Sequence, residues 1–394
     1  MHSVRISLAA TLFVPVIAFL SGCNRDAHVQ QPLQWTFHLN DSTAFSLGGY
    51  CYPDSLVLLN GPERLTARAN GAGTYRLPPF DGIITGTWEN GQFEGQWNDQ
   101  LREAYRVRLT AIPARHAKHS NHSDVPTTSW DLYLPATDST PMGTLLLQRN
   151  DEQLSGTVAT PTGDMRHLSG NVDGSEHWKF GTFDGAHLYQ FISTEIDGGL
   201  SGTFYSGNHY SAPFRAIQRQ EPPLMPPAQV AVLDTVPVHM HWLAPGGTTR
   251  TWTLDSLPAD VVVIDIMGTW CPNCLDEIRL LKKLAATYTE AAFLSFAFER
   301  NAEEQPDAAR LRIQRFRDDL QIPWEMHLAG PASKRSASQA FPFLKEVPSF
   351  PTTLFMHRDG RIITHSGFNG PATGPAYQQE EESFKNSLDS LLKS

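Results

Sequence analysis

Glu221-Pro-Pro-Leu-Met-Pro-Pro-Ala228 divides this chain into two stretches that cannot share one sheet. Its four prolines lack backbone donors and hold the segment extended, which predicts a semi-rigid linker over residues 221–228. The 394 residues are more than one ordinary core can organise, so a division into domains is expected on length as well. Before the linker, residues 23–220 read as all-β. Short alternating segments such as Ser46–Tyr52, Ser55–Leu59, Tyr105–Thr110 and Gly143–Gln148 are separated by Gly, Asn and Asp turns. A β-sandwich or a barrel satisfies this pattern. After the linker, over residues 229–394, the texture becomes α/β. Val261–Ile266 is a nearly continuous apolar run suited to a buried strand. Leu275, Ile278, Leu281, Leu284 and Ala285 have helical spacing, and Ala292–Phe298 is a second strand. A helix over Asp307–Leu320, a hairpin of Thr352–His357 with Arg361–Ser366, and a terminal helix over Glu380–Leu392 follow.

The β-rich stretch carries signs of duplication. Trp35–Leu39 is similar to Trp130–Leu134, Asp41-Ser-Thr43 to Asp138-Ser-Thr140, and Asn60–Leu65 to Asn150–Leu154. Glu94-Gly-Gln-Trp97 before Ala111-Ile112 is similar to Ser201-Gly-Thr-Phe204 before Ala216-Ile217. A polar stretch from Arg115 to Ser129 would join the two repeats. His116, His119 and His122 lie in it and read as part of a solvated loop, since no regular element fixes them as metal ligands.

The chain carries 31 Lys and Arg against 41 Asp and Glu, a net charge of −10, which disfavours a nucleic-acid partner. At the N-terminus, His2 and Arg5 precede an apolar run from Leu8 to Leu20 that is too short for a permanent membrane span. Leu20-Ser21-Gly22-Cys23 resembles the lipobox of bacterial lipoproteins. That resemblance implies a signal peptide over residues 1–22, lipidation at Cys23 and a body tethered on the extracytoplasmic face of the cell envelope. In that oxidising compartment disulfides persist. Four cysteines do not make a disulfide framework. Cys51, in Gly-Gly-Tyr-Cys-Tyr, reads as a lone thiol buried in the β-rich part.

The chemistry concentrates at Trp270-Cys271-Pro272-Asn273-Cys274, between a buried strand and a helix. With no second cysteine pair, a four-ligand zinc site is not supplied. At a helix start the dipole and free N–H groups stabilise a thiolate on Cys271, and Cys274 faces it one turn along. Cys271 is then the attacking sulfur and Cys274 the resolving one. No metal or organic cofactor is called for. Thr269 stands two positions before Cys271, whereas a peroxiredoxin threonine stands three before its cysteine.

Gly268-Thr-Trp-Cys-Pro-Asn-Cys274 resembles the active site of the TlpA/ResA-like thioredoxin-fold thiol-disulfide oxidoreductases. Trp252–Leu257 resembles their segment before the first strand, and Val347-Pro-Ser-Phe-Pro-Thr-Thr353 with His357-Arg-Asp-Gly360 their cis-proline strand and hairpin. The resemblance covers roughly Val230 to Ser394. It implies a thioredoxin-like fold there, a cis peptide before Pro351, and a substrate surface bordered by Trp270, Pro272, Phe350 and Pro351. Asp265 is similar in placement to the buried carboxylate that assists proton transfer at the resolving cysteine. Glu299 either supplies an acid near the cysteines or serves as a cap or surface ion pair. The implied function is reduction of disulfides in partner proteins, fed by a membrane electron donor. The alternative is a binding lipoprotein whose β-rich part captures a ligand or partner.

Overall fold

The computed structural model describes residues 31–102, 105–115, 127–174, 176–220, 229–233 and 235–393. The signal segment 1–22, Cys23, the linker 221–228 and the three spaced histidines lie outside the described residues. The β-rich stretch forms two barrels. The first comprises β1 (Pro32–His38), β2 (Ala44–Tyr52), β3 (Ser55–Asn60), β4 (Glu63–Ala69), β5 (Thr74–Leu77), β6 (Gly82–Glu89), β7 (Gln92–Asp99) and β8 (Arg106–Pro113). Each strand pairs antiparallel with the next, and β8 closes the circle on β1, with Trp35 opposite Ala111. The second comprises β9 (Thr128–Tyr133), β10 (Gly143–Asn150), β11 (Gln153–Thr160), β12 (Gly163–Asp164), β13 (Leu168–Asp173), β14 (His177–Phe183), β15 (Leu188–Ile196), β16 (Gly199–Ser206) and β17 (Tyr210–Gln218). Here β17 closes on β9, and the two-residue β12 hangs on β11 outside the circle of eight.

Alternation explains why these segments curl into closed sheets. In β1, Leu33, Trp35 and Phe37 are buried, while the residues between them are not. The interiors are filled rather than hollow: Trp35, Phe37, Phe93 and Trp97 pack in the first barrel, and Phe180, Phe191, Phe204 and Phe214 in the second. Apolar side chains removed from water in this way are the main stabilising term. The duplication is real at the level of topology. Gly95 of β7 and Gly202 of β16 occupy equivalent places where neighbouring backbones approach too closely for a side chain. A Cβ would lie 2.1 Å from Thr85 O in one barrel and 2.0 Å from Ile192 O in the other. One of the sequence matches is displaced, however. Asn60 ends the third strand of its barrel and Asn150 the second of its own, so that similarity is of turn chemistry and not of position. Cys51 also departs from expectation: it is half-buried, with its Sγ 3.6 Å from Tyr52 O.

The C-terminal domain opens with a hairpin of β18 (His239–Leu243) and β19 (Thr249–Thr253), which the sequence reading did not foresee. A five-stranded sheet follows, ordered β22-β21-β20-β23-β24: Glu325–Pro331, Ala291–Glu299, Val261–Met267, Thr352–His357 and Ile362–Ser366. Strands β20, β21 and β22 run parallel, whereas β23 is antiparallel to β20 and β24 to β23. Helices α1 (Pro272–Thr287), α2 (Pro306–Leu320) and α4 (Pro375–Leu392) pack with Val261, Val263 and Met267 of β20, and α3 (Lys334–Ala340) packs with Val262, Ile264 and Ile266. This is a thioredoxin-like fold. A strand covered on both faces must be apolar at every position, and Asp265 alone breaks that rule in β20.

Candidate functional site

The site forms where β20 ends and α1 begins. Cys271 caps α1 with extended backbone geometry, and its Sγ accepts a hydrogen bond from Cys274 N at 3.2 Å. Pro272 occupies the first helical position, where no N–H is needed. Cys271 and Cys274 form a disulfide with their Cα atoms 5.3 Å apart. The Phe350–Pro351 peptide is cis. Phe350 O lies 3.6 Å from Cys271 Sγ, so the proline strand sits directly against this sulfur. Trp270 is pinned by its Nε1–H, which donates to Phe298 O at 2.9 Å, and its ring meets Phe350 edge-on at 5.6 Å. Arg300 lies over the same ring at 5.1 Å. Thus Trp270, Pro272, Phe350 and Pro351 converge on the disulfide.

Two buried carboxyl groups, Asp265 on β20 and Glu277 on α1, have no ion-pair partner among the described residues. Asp265 is 1 % exposed and Glu277 is fully buried. Ser295 Oγ donates to Asp265 Oδ2 at 3.1 Å and in turn accepts from Trp324 Nε1 at 2.9 Å. Thr353, opposite Asp265 in register, donates to Glu277 Oε1. Among the described residues, Asp265 Oδ1 and Glu277 Oε2 have no hydrogen-bond partner. Burial pushes both acids above their ordinary range, and the charge of Asp265 raises Glu277 further. Such a pair holds a proton near neutral pH. Sequence reasoning missed Glu277. The signal was present: three residues after Cys274 places it one turn along the same helical face, among residues that the apolar stripe of α1 buries.

Glu299 sits elsewhere in the machinery. Thr269 donates to it through N and Oγ1, both at 2.8 Å, and Arg312 Nε lies 3.5 Å away. Burial raises its pKa to about 7. Its bonds fix the turn that delivers Trp270 and Cys271, so it is neither a surface ion pair nor a helix cap. Among the described residues, no cluster of three His, Cys, Asp or Glu could hold a metal.

The cysteine pair is closed over by the rest of the chain. Cys271 is 5 % exposed and Cys274 fully buried. Arg166, in the turn between β12 and β13, donates through Nη1 to Pro272 O at 3.1 Å.

The chain matches no family model and no curated protein. Among solved structures it is similar to a putative thiol:disulfide interchange protein DsbE from Chlorobium tepidum, at 17% identity over 41% of this chain and 99% of that chain, with a TM-score of 0.29. It is also similar to a secreted Mycobacterium tuberculosis disulfide oxidoreductase homologous to E. coli DsbE (15% identity, 38% of this chain, 94% of that chain, TM-score 0.27). A third is the exposed lipoprotein thioredoxin Etrx1 of Streptococcus pneumoniae (18% identity, 37% of this chain, 98% of that chain, TM-score 0.25).

Proposed function

We propose that this chain is an extracytoplasmic thiol-disulfide oxidoreductase, lipid-anchored at Cys23, that reduces disulfides of partner proteins. The observation that carries the redox reading is the Cys271–Cys274 disulfide at the start of α1, set against the cis-proline strand. In the reduced protein, the Cys271 thiolate attacks one sulfur of a partner disulfide. A mixed disulfide forms, and the partner's other sulfur leaves as a thiolate. Cys274 then loses its proton and attacks Cys271 Sγ. This step restores Cys271–Cys274 and frees the second partner thiol. Two electrons and two protons have passed to the partner, and a two-electron donor at the membrane resets the pair.

The proton of Cys274 has a destination within the fold. Glu277, one turn along the same buried face of α1, and Asp265 beside it can share it. The anchor rests on the lipobox-like Leu20-Ser21-Gly22-Cys23. A second reading, ligand capture by the β-rich part, draws on a cleft of about 780 Å³ between the barrels, lined by Phe45, Leu47, Lys179 and Gln190 among others.

The test uses the full chain with insulin as substrate. Cys271→Ala abolishes reduction, whereas Cys274→Ser accumulates a mixed disulfide. Faster alkylation of Cys274 than of Cys271 near neutral pH would reverse the two roles. Palmitate labelling lost in Cys23→Ser supports the anchor, and an unlabelled wild-type protein removes it.

A further inference from the structure

A cysteine that caps the first turn of a helix has its sulfur at the end of the element, where solvent and partners ordinarily reach it. Here that sulfur is covered from two sides by the barrels. On the Trp270 side, Phe80, from the turn between β5 and β6, is 5 % exposed and belongs to the same apolar cluster as Cys271 and Cys274. Ala186 of the second barrel packs against this cluster. The space left beside Trp270 is about 20 Å³, room for one water and for no peptide. On the Asn273 side, β12 lies on the redox motif itself. A Cβ on Gly163 would stand 1.9 Å from Asn273 Nδ2 and 3.0 Å from Phe368 O. Asp164 Oδ2 accepts from Gly370 N at 2.8 Å.

Several further polar contacts between barrels and redox domain are ion pairs. Arg166 is 3 % exposed and joins all three units: it pairs with Glu63 of the first barrel at 2.5 Å and with Asp276 of α1 at 3.3 Å, besides its bond to Pro272 O. Arg279 of α1 reaches the same Glu63 at 3.2 Å. Farther out, Arg76 pairs with Asp319 at 2.7 Å and Arg315 with Asp81 at 2.9 Å. Charged partners that separate are rehydrated, which lowers the cost of opening the ionic part of this contact.

We propose that the two barrels are a cap latched over the redox site by Arg166, and that Cys271 engages a protein disulfide only when this cap lifts. An extended partner segment must lie along Phe350 and Pro351 with its sulfur in line with Cys271 Sγ, and the docked cap leaves it no path. The cap rests on the reading of Cys271–Cys274 as an exchange site, but its test does not require exchange.

The reduced full chain is treated with a polyethylene-glycol maleimide, and modification of Cys271 is followed by peptide mapping. Arg166→Ala and Glu63→Gln accelerate modification about tenfold or more over wild type, and raised ionic strength accelerates wild type in the same direction. Arg76→Gln, away from the motif, gives a smaller acceleration and serves where Arg166→Ala does not fold. Equal rates in wild type, in the variants and at high salt, whether all fast or all slow, overturn the cap. Unchanged access with normal insulin reduction would remove the cap and keep the oxidoreductase. Accelerated access without any insulin reduction would do the reverse.

Discussion

The front and the back of the redox site bury charge in opposite ways. In front, Arg166 is matched by Glu63 and Asp276, and Arg279 adds a second cation. Behind, Asp265 and Glu277 face each other with hydroxyl donors only. In front the cations hold the surfaces together, although burial raises Asp276 and lifts Asp164, which accepts from Arg166 N and Gly370 N, to about 7. An unmatched buried acid keeps its proton and becomes available for proton exchange. The same two residue types thus lie at a domain contact on one side of the disulfide and, in the proposed mechanism, take part in proton transfer on the other.

The largest effect that can break this comparison is at the front. Arg166→Met leaves Glu63 and Asp276 with only the half-exposed Arg279 as a cation and should cost about 3–5 kcal/mol, read from denaturant unfolding of the full chain. A loss below about 1 kcal/mol would show that the front is solvated and not matched.

Next comes the back. Asp265→Asn combined with Glu277→Gln should slow exchange by about 10²-fold at neutral pH while the fold is kept. Their stability effect has the opposite sign to that of Arg166. Because the folded protein holds these protons more tightly than the unfolded chain, stability falls as pH rises from the ordinary carboxyl range through the raised values. Urea midpoints measured across that range should decline in wild type and flatten in the double variant. An unchanged exchange rate would leave the helix start as the source of thiolate activation.

Glu299 sharpens the distinction between chemistry and positioning. Glu299→Leu deprives Thr269 and Arg312 of their acceptor and should cost about 1–3 kcal/mol, with Glu299→Gln recovering most of it. Exchange per folded Glu299→Gln molecule should stay within about threefold of wild type, well short of the loss of a general acid–base group. A change of 10²-fold would move Glu299 into the proton path. The smallest effect belongs to Arg108, whose pair with Glu94 lies exposed on the first barrel. Arg108→Ala should leave the unfolding midpoint unchanged.

What could be read from the sequence followed the range of the interactions involved. The buried strand Val261–Met267, helix α1 and the hairpin about Asp359-Gly360 announce themselves through local periodicity and turn chemistry. The cysteine pair and Pro351 were legible as a motif. Strand β22 and helix α3 were not, since Glu325–Pro331 and the small, polar Lys334–Ala340 lack a strong apolar pattern. Barrel closure was also hidden: β1 pairs with β8 some seventy residues away, and alternation suits a sandwich equally well. Arg166 was invisible for the same reason. Nothing in its local sequence points to Pro272, 106 positions later. The equivalent glycines Gly95 and Gly202 mark the opposite case, in which a local demand repeated by duplication left a readable trace.

Closure of the two barrels has a further consequence for how this chain meets other chains. Open β-sheets offer rows of unpaired amide and carbonyl groups on which other chains can assemble into aggregates. In each barrel, all eight strands of the circle have neighbours on both sides. In the large sheets of the described residues, β22 and β24 are left as the lateral edges of the redox domain, and the two-residue β12 is too short to template another strand. Most of the chain's β-structure is thus self-satisfied. Its aggregation then depends on barrels that have opened, which ties resistance to fibrillar assembly to the aromatic cores that keep them shut.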